Sequence, residues 1–243
     1  MNTSQAAELL GVSEASVRRW GDSGRLPVRR VGARRERRFR RADVEAFGGG
    51  VAAPWRHLRS PAPAGTPAYP LFAPPVHLAT LYSSDAGRLR ITGPLLIEGL
   101  RRREPCFLIA SGAILEFYFD HLRAAAGVDL DAALAEGDLV IGGAPGATIQ
   151  AALDYWEDRF WGAITSGAKV IRVAAEMTCE RELFGSEREM LNYEAALNMT
   201  SRRFPCVVVC QYDARQFSGE ALLDALRAHP DLHDRPLGSI LLN

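Results

Sequence analysis

The chain has 243 residues, 47% of them hydrophobic, with 29 basic and 29 acidic side chains and a net charge of zero. That length accommodates two folded units, and the composition is ordinary for a globular protein. The first seven residues lack a basic start and an apolar core, and no run approaches about 18 apolar residues, so neither a secretory signal nor a membrane span is expected. The four cysteines (106, 179, 206 and 210) form no CxxC pair, and a cytoplasmic location is expected.

The first segment, Ser4 to Phe47, reads as a small DNA-binding head. TSQAAELLG places Ala6, Ala7, Leu9 and Leu10 on one helical face. Gly11-Val12-Ser13 reads as a tight turn with Ser13 as N-cap, and EASVRRWGDSG as a second helix stopped by Gly24. Ala15, Val17 and Trp20 are expected to face inward, while Glu14, Ser16, Arg18 and Arg19 face out, the division a recognition helix needs. LPVRRVGARRERRFRR reads as two short strands around a turn opened by glycine, and ADVEAF as a third helix, which together make a winged helix-turn-helix.

Charge is distributed in the same sense. Residues 1–47 carry eleven arginines against six acids, so the neutral chain concentrates its positive charge where a phosphate backbone would be met. Arginine rather than lysine suits bidentate contacts with phosphate or guanine. A protein-binding helical module with a solvated arginine-rich hairpin is the plainer alternative. Residues 3–47 resemble the winged heads of the mercury-resistance-regulator (MerR) superfamily and of phage excisionases, through AAELLGVSEASVRRWGDSGRLPVRRVG and RRFRRADVEAF. The resemblance implies a second helix in the major groove and a wing along the backbone. It points to Ser16, Arg18 and Arg19 on the helix and to Arg34, Arg35, Arg37 and Arg38 in the wing as DNA contacts. The long dimerising helix of full MerR regulators does not follow the head, so pairing is left to the rest of the chain.

Residues 48–75 contain three consecutive glycines and, from 54 to 75, seven prolines, which is expected to end regular helix and give an extended tether. From Val76 to Asn243 short β-type runs alternate with amphipathic helices. Strands are expected at 77–82, 106–110, 139–142, 169–176 and 206–212, with a final SILL strand. Helices are expected at 85–103, 114–126, 130–136, 149–166, 187–201 and 219–229. This alternation predicts an α/β layer sandwich with a largely parallel sheet. LVIG and CVVVC are apolar on both faces and are expected to be central strands.

Ligands of parallel sheets sit at the C-terminal strand ends. The polar residues there are Tyr82 with Ser83 and Ser84, Ser111, the 142–146 glycine loop, Glu176 with Thr178, and Gln211 to Asp213. They are expected to converge on one pocket, unless they are simply the caps and turns that any sheet edge requires. No chemistry of a familiar kind is visible in the motifs. The chain's single lysine, Lys169, misses the phosphate-loop pattern and falls between a helix and a strand. His77, His121, His229 and His233 show no metal-ligand spacing, and neither GxSxG nor HExxH occurs. Cys206 and Cys210 share a strand face roughly 13 Å apart at about 3.3 Å per residue, too far to hold one ion together. No catalytic residue, metal ligand or cofactor is assigned, and an enzyme is not expected.

With these residues in place, Val76 to Asn243 resembles the MEDS family, a sensory domain of methanogen and methylotroph proteins. The resemblance rests on HLATLY, PLLIEGLRRREPCFLIAS, VIRVAAEMT, LNYEAALN and CQYDARQFSGEALLDALRAHP. It implies a RecA/KaiC-like α/β fold without a phosphate loop, and sensing of a small molecule, a simple hydrocarbon derivative. Carried over residue by residue, it suggests His77, Tyr82, Glu176, Thr178, Tyr193, Glu194, Asn198, Tyr212 and Asp213 as ligand contacts, beside Ser111 from the strand-end reading. Cys179 stands where the family often has Trp, which implies a roomier pocket. The expected protein is a one-component transcription regulator, a homodimer built by the sensor and binding double-stranded DNA and a small-molecule effector. An excisionase-like architectural factor whose large domain binds protein is the alternative, and a thiol-based regulator using Cys179 or Cys210 a narrower one.

Overall fold

A computed structural model of the full chain describes residues 1–10, 14–22, 24, 26–32, 35–51, 73–143, 148–232 and 241–242. Helices α1 (Thr3–Leu10), α2 (Glu14–Asp22) and α3 (Arg41–Val51) form the head with the antiparallel pair β1 (Arg29–Val31) and β2 (Glu36–Arg38). Its core is Ala6, Ala7, Val17, Trp20, Leu26, Phe39 and Val44. Leu9, placed on the same helical face by its spacing, is 40% exposed, whereas Ala6 and Ala7 are buried. Gly24 adopts φ 76° after α2, a left-handed stop that side chains disfavour. The expected turn at 11–13, with the Ser13 cap, lies outside the described residues.

The expected break at Gly48 is corrected: α3 runs on through the three glycines to Val51. Glycine costs a helix interior only about 1 kcal/mol relative to alanine, so it weakens the last turn without forbidding it. Residues 52–72 of the tether lie outside the described residues.

The remainder is an α/β/α sandwich. Its strands are β3 (Val76–Tyr82), β4 (Cys106–Ile109), β5 (Leu139–Ile141), β6 (Ile171–Glu176), β7 (Cys206–Asp213) and β8 (Leu241–Leu242), paired in the order β5-β4-β6-β7-β3-β8 and parallel throughout. CVVVC is internal, as its two-sided apolarity implied. LVIG is not: β5 is an edge strand, with Val140 and Ile141 only half-buried against the core. It is apolar because helices sandwich even the edge of a parallel sheet.

Between the strands lie α4 (Asp85–Arg102), α5 (Gly112–Arg123), α6 (Leu130–Glu136), α7 (Ile149–Thr165), the short α8 (Met177–Arg181), α9 (Glu187–Ser201) and α10 (Gly219–Ala228). Ser84, Thr148, Ser186 and Ser218 each cap the following helix by accepting a backbone N–H three residues on. Helix α4 approaches the sheet closely at Gly99, where a Cβ would lie 2.6 Å from Arg172 Cδ and against Cys106 Sγ. Beneath it, fully buried Arg172 is held by Glu98 at 2.9 Å and Glu104 at 2.6 Å. No helix among the described residues is long and apolar enough to cross a membrane.

Head and sandwich touch. The Trp20 indole Nε1 donates to Asp158 Oδ1 on α7 at 3.0 Å, and α3 also packs against α7.

Candidate functional site

In the head, the wing sets Arg29 opposite Arg38 and Arg30 opposite Arg37. Like charges directly across a strand pair are unfavourable. Asp22, at the end of α2, offsets them by accepting from Arg30 at 2.8 Å and from Arg37 at 2.7 and 2.8 Å. The Arg37 hydrogen bond holds the Asp22 carboxyl below its usual range. Of the seven expected DNA contacts, Arg18 is exposed and paired with Glu14, Arg38 is exposed and paired with Glu36 at 2.9 Å, and Arg35 is exposed at φ 49°. Arg37 is half-buried on Asp22, a brace for the wing as much as a contact. Arg34 and the side chains of Ser16 and Arg19 lie outside the described residues.

In the sandwich, the expected ligand residues do not meet in one pocket. Side chains alternate across a strand, and the register sorts them onto two faces. Tyr82 and Asp213 are paired neighbours, as are Glu176 and Gln211, and all four point toward α4 and α5. There, the Glu176 carboxylate accepts from Tyr82 Oη at 2.8 Å, Tyr118 Oη at 2.8 Å and Gln211 Nε2 at 3.1 Å, with Arg88 Nε 3.8 Å away. Burial pushes this carboxyl above its ordinary range even though Arg88 and the three donors oppose it. Asp213 stays below its ordinary range: burial works upward, but Arg215 clamps it at 2.7 and 2.8 Å. Tyr118, Gln211, Thr92 and Arg88 complete this cluster, and of these only Gln211 was singled out from the sequence.

On the opposite face, His77 lies two residues before Ala79, the register neighbour of Cys210, so both side chains point toward α9 and α10. Glu194, on the buried face of α9, lies 3.4 Å from His77 Nε2 and 3.0 Å from His229 Nε2, and Cys210 Sγ lies 3.2 Å from His77 Nε2. All four side chains have 1% exposure or less, and one ligand atom from each falls within 4.8 Å of all the others. Histidine spacing gave no sign of this group, because its members come from β3, α9, β7 and the end of α10. Burial and the neighbouring His229 push His77 below its ordinary range. The nearby Glu180 carboxyl is pushed up to about 8 by burial and by Glu194.

Polar atoms on this face go unsatisfied. Among the described residues, His77 Nδ1, His229 Nε2, Glu194 Oε2, Glu180 Oε2, Asn198 Oδ1 and Tyr212 Oη are buried without a hydrogen-bond partner, so the close His229–Glu194 contact misses hydrogen-bond geometry. Tyr193 instead braces the helices: its hydroxyl accepts from Trp156 Nε1 on α7 at 2.7 Å and its ring stacks on Phe184. Thr178, buried on α8, has no partner for its hydroxyl, while exposed Ser111 donates to Cys179 Sγ at 3.3 Å at the strand-end edge. A groove of about 540 Å³ lies elsewhere, between α9 and α10, and includes Glu187, Leu191, Ser218 and Asp224 in its walls.

Comparison with known proteins agrees with this two-part layout. Residues 1–47 match a helix-turn-helix domain, and residues 76–230 match MEDS, the methanogen/methylotroph, DcmR sensory domain. A protein of Methylorubrum extorquens (strain DSM 6343 / CIP 106787 / DM4) described as the transcriptional repressor DcmR is 38% identical over 248 residues, covering 98% of this chain and 92% of that protein. The chain therefore belongs to the MEDS family, as a fusion of a helix-turn-helix DNA-binding domain to a MEDS sensory domain, the organisation of a one-component transcription regulator.

Proposed function

We propose that this protein represses or activates transcription by binding duplex DNA through α2 and the wing, and that its MEDS domain sets that binding in response to a small molecule. The division at the tether makes residues 1–47 the reader and 76–243 the sensor. The head is of the MerR type, two chains pair through their sensor domains, and the protein works in the cytoplasm without catalysing a reaction. The family resemblance gives a simple hydrocarbon derivative as the class of effector. A head this small reads a short site, so two paired heads on half-sites supply the specificity.

The observation that carries the reading is the fusion itself, a basic head joined to a sensory domain and matched nearly end to end by a repressor. Contact between Trp20 on α2 and Asp158 on α7 supports linkage between the two parts. Binding to the protein's own upstream region, measured across a salt series with and without a metabolite extract, tests it. Steep salt dependence altered by the extract is expected, and Arg35→Ala and Arg38→Ala are each expected to lower the slope by about 0.9 for a lost phosphate contact. Binding without salt dependence, or none, would falsify the assignment of the head. Binding indifferent to the extract favours the architectural alternative, and a monomer on DNA by light scattering rules out the paired arrangement.

A further inference from the structure

The four buried side chains on the α9/α10 face pose a problem of proton accounting. His229 Nδ1 lies 2.7 Å from the Ala225 carbonyl, and a carbonyl only accepts, so the proton of this ring sits on Nδ1. Its Nε2, which carries the lone pair in the neutral ring, is aimed at the Glu194 carboxylate 3.0 Å away, at an angle outside hydrogen-bond geometry. His77 Nε2 lies between that same carboxylate and the Cys210 sulfur. Four potential ligand atoms thus converge here, all of them buried, with no Lys or Arg side chain paired to them among the described residues.

We infer that His77, Glu194, Cys210 and His229 form a binding site for a divalent transition-metal ion of the zinc class. Two imidazole nitrogens, one carboxylate oxygen and one thiolate are an ordinary donor set for such an ion. Tetrahedral bonds of about 2.0–2.3 Å set neighbouring donors about 3.3–3.6 Å apart. Three of the separations are 3.0, 3.2 and 3.4 Å, and the widest in the group stays within 4.8 Å, so small side-chain rotations close the shell. The Nδ1–Ala225 bond is the outer-shell contact that fixes a ligating imidazole. Binding replaces the Cys210 S–H bond with an S–metal bond and releases one proton to solvent. Thiolate and carboxylate then neutralise the dication, which removes the charge problem of a site with no exposure. Four protein donors leave no open position for a reacting group, so the ion ties β3, β7, α9 and the end of α10 together, or is itself the species sensed.

This concerns ion binding alone and stands or falls separately from DNA recognition. The tag-free full-length chain, stripped with chelator, is titrated with Co²⁺ while its absorption spectrum is recorded, and Zn²⁺ is then used to displace the cobalt. One ion per chain is expected, with visible bands of tetrahedral strength and a near-ultraviolet thiolate-to-cobalt band. Cys210→Ser is expected to lose the thiolate band, whereas Cys179→Ser and Cys206→Ser keep it. His229→Gln, which retains a hydrogen-bonding side chain and guards against a misfolded Cys210 variant, is expected to weaken binding by more than about 100-fold. A folded wild-type chain that takes up neither ion overturns the inference. So does uptake without the thiolate band, or with a band that survives Cys210→Ser.

Discussion

On the α4/α5 face the Glu176 carboxylate receives three hydrogen bonds from fixed side chains, whereas on the α9/α10 face Glu194 meets two imidazole nitrogens and completes its bonding with neither. Both carboxylates are buried, Glu176 at the end of β6 and Glu194 on α9. Burial of an ionisable group is costly unless its hydrogen-bonding capacity is used. Glu176 uses it internally and behaves as architecture, although Arg88 Nε and Arg172 Nη2 on the same face lack a hydrogen-bond partner among the described residues. The other holds its capacity in reserve, which is the condition of a binding site.

The architectural reading of the first face is broken or sharpened by removing its supports in turn. Arg172→Ala removes the buried partner of Glu104 and leaves Glu98 with Arg102 alone, and is expected to cost about 3–5 kcal/mol in urea unfolding. A loss below about 1 kcal/mol would show that water reaches these carboxylates. Gly99→Ala forces a methyl group onto Arg172 and Cys106 and is expected to cost about 1–3 kcal/mol, with α4 displaced. Tyr118→Phe leaves Glu176 one donor short and Gln211 one acceptor short, for a loss of about 1–3 kcal/mol.

Glu176 also gives this face a pH signature. Its folded pKa is raised above the ordinary 4.5, so the folded state holds the proton more tightly. That contribution to stability is complete below about pH 4.5 and is lost as pH rises through the raised value. The groups facing it are Tyr82, Tyr118, Gln211 and Arg88, with Asp213 beyond Arg88. Glu176→Gln is expected to flatten the decline in melting temperature with rising pH. An unchanged slope would place its origin elsewhere. The smallest effect is expected at Trp20→Phe, which keeps the ring in the head core but loses the bond to Asp158. It should cost about 1 kcal/mol and raise hydrogen exchange in α7, and exchange confined to the head would mean that the two parts are not linked there.

Much of the fold was legible because periodicity and capping are local. Helices 130–136 and 187–201 fall where their sequence patterns put them, and the strand beginning at Val76 differs by one residue. The edge position of LVIG was not legible, since helices cover an edge strand of a parallel sheet as they cover a central one. The candidate site was half legible. His77, Tyr82, Glu176, Glu194, Tyr212 and Asp213, expected from the resemblance as contacts of one ligand, are all buried, but Tyr212 and Asp213 are adjacent on one strand and cannot share a face. That parity was present in the sequence and would have split the set. Cys210 and His229 were hidden for another reason. Ligand spacing rules describe loops and single helices, and these two meet only after the β7–α10 unit has folded back on β3.

Helix α7 presents Asp158 to the head and Trp156 to Tyr193, the residue beside Glu194. Helix α2 and the buried polar group are thus connected through the packed side chains of α7 and α9, while the covalent route between them passes through the whole tether. Messages that cross by direct packing do not depend on the length of that route. Changing the number of residues between 52 and 72 is then expected to leave the Trp20–Asp158 contact in place.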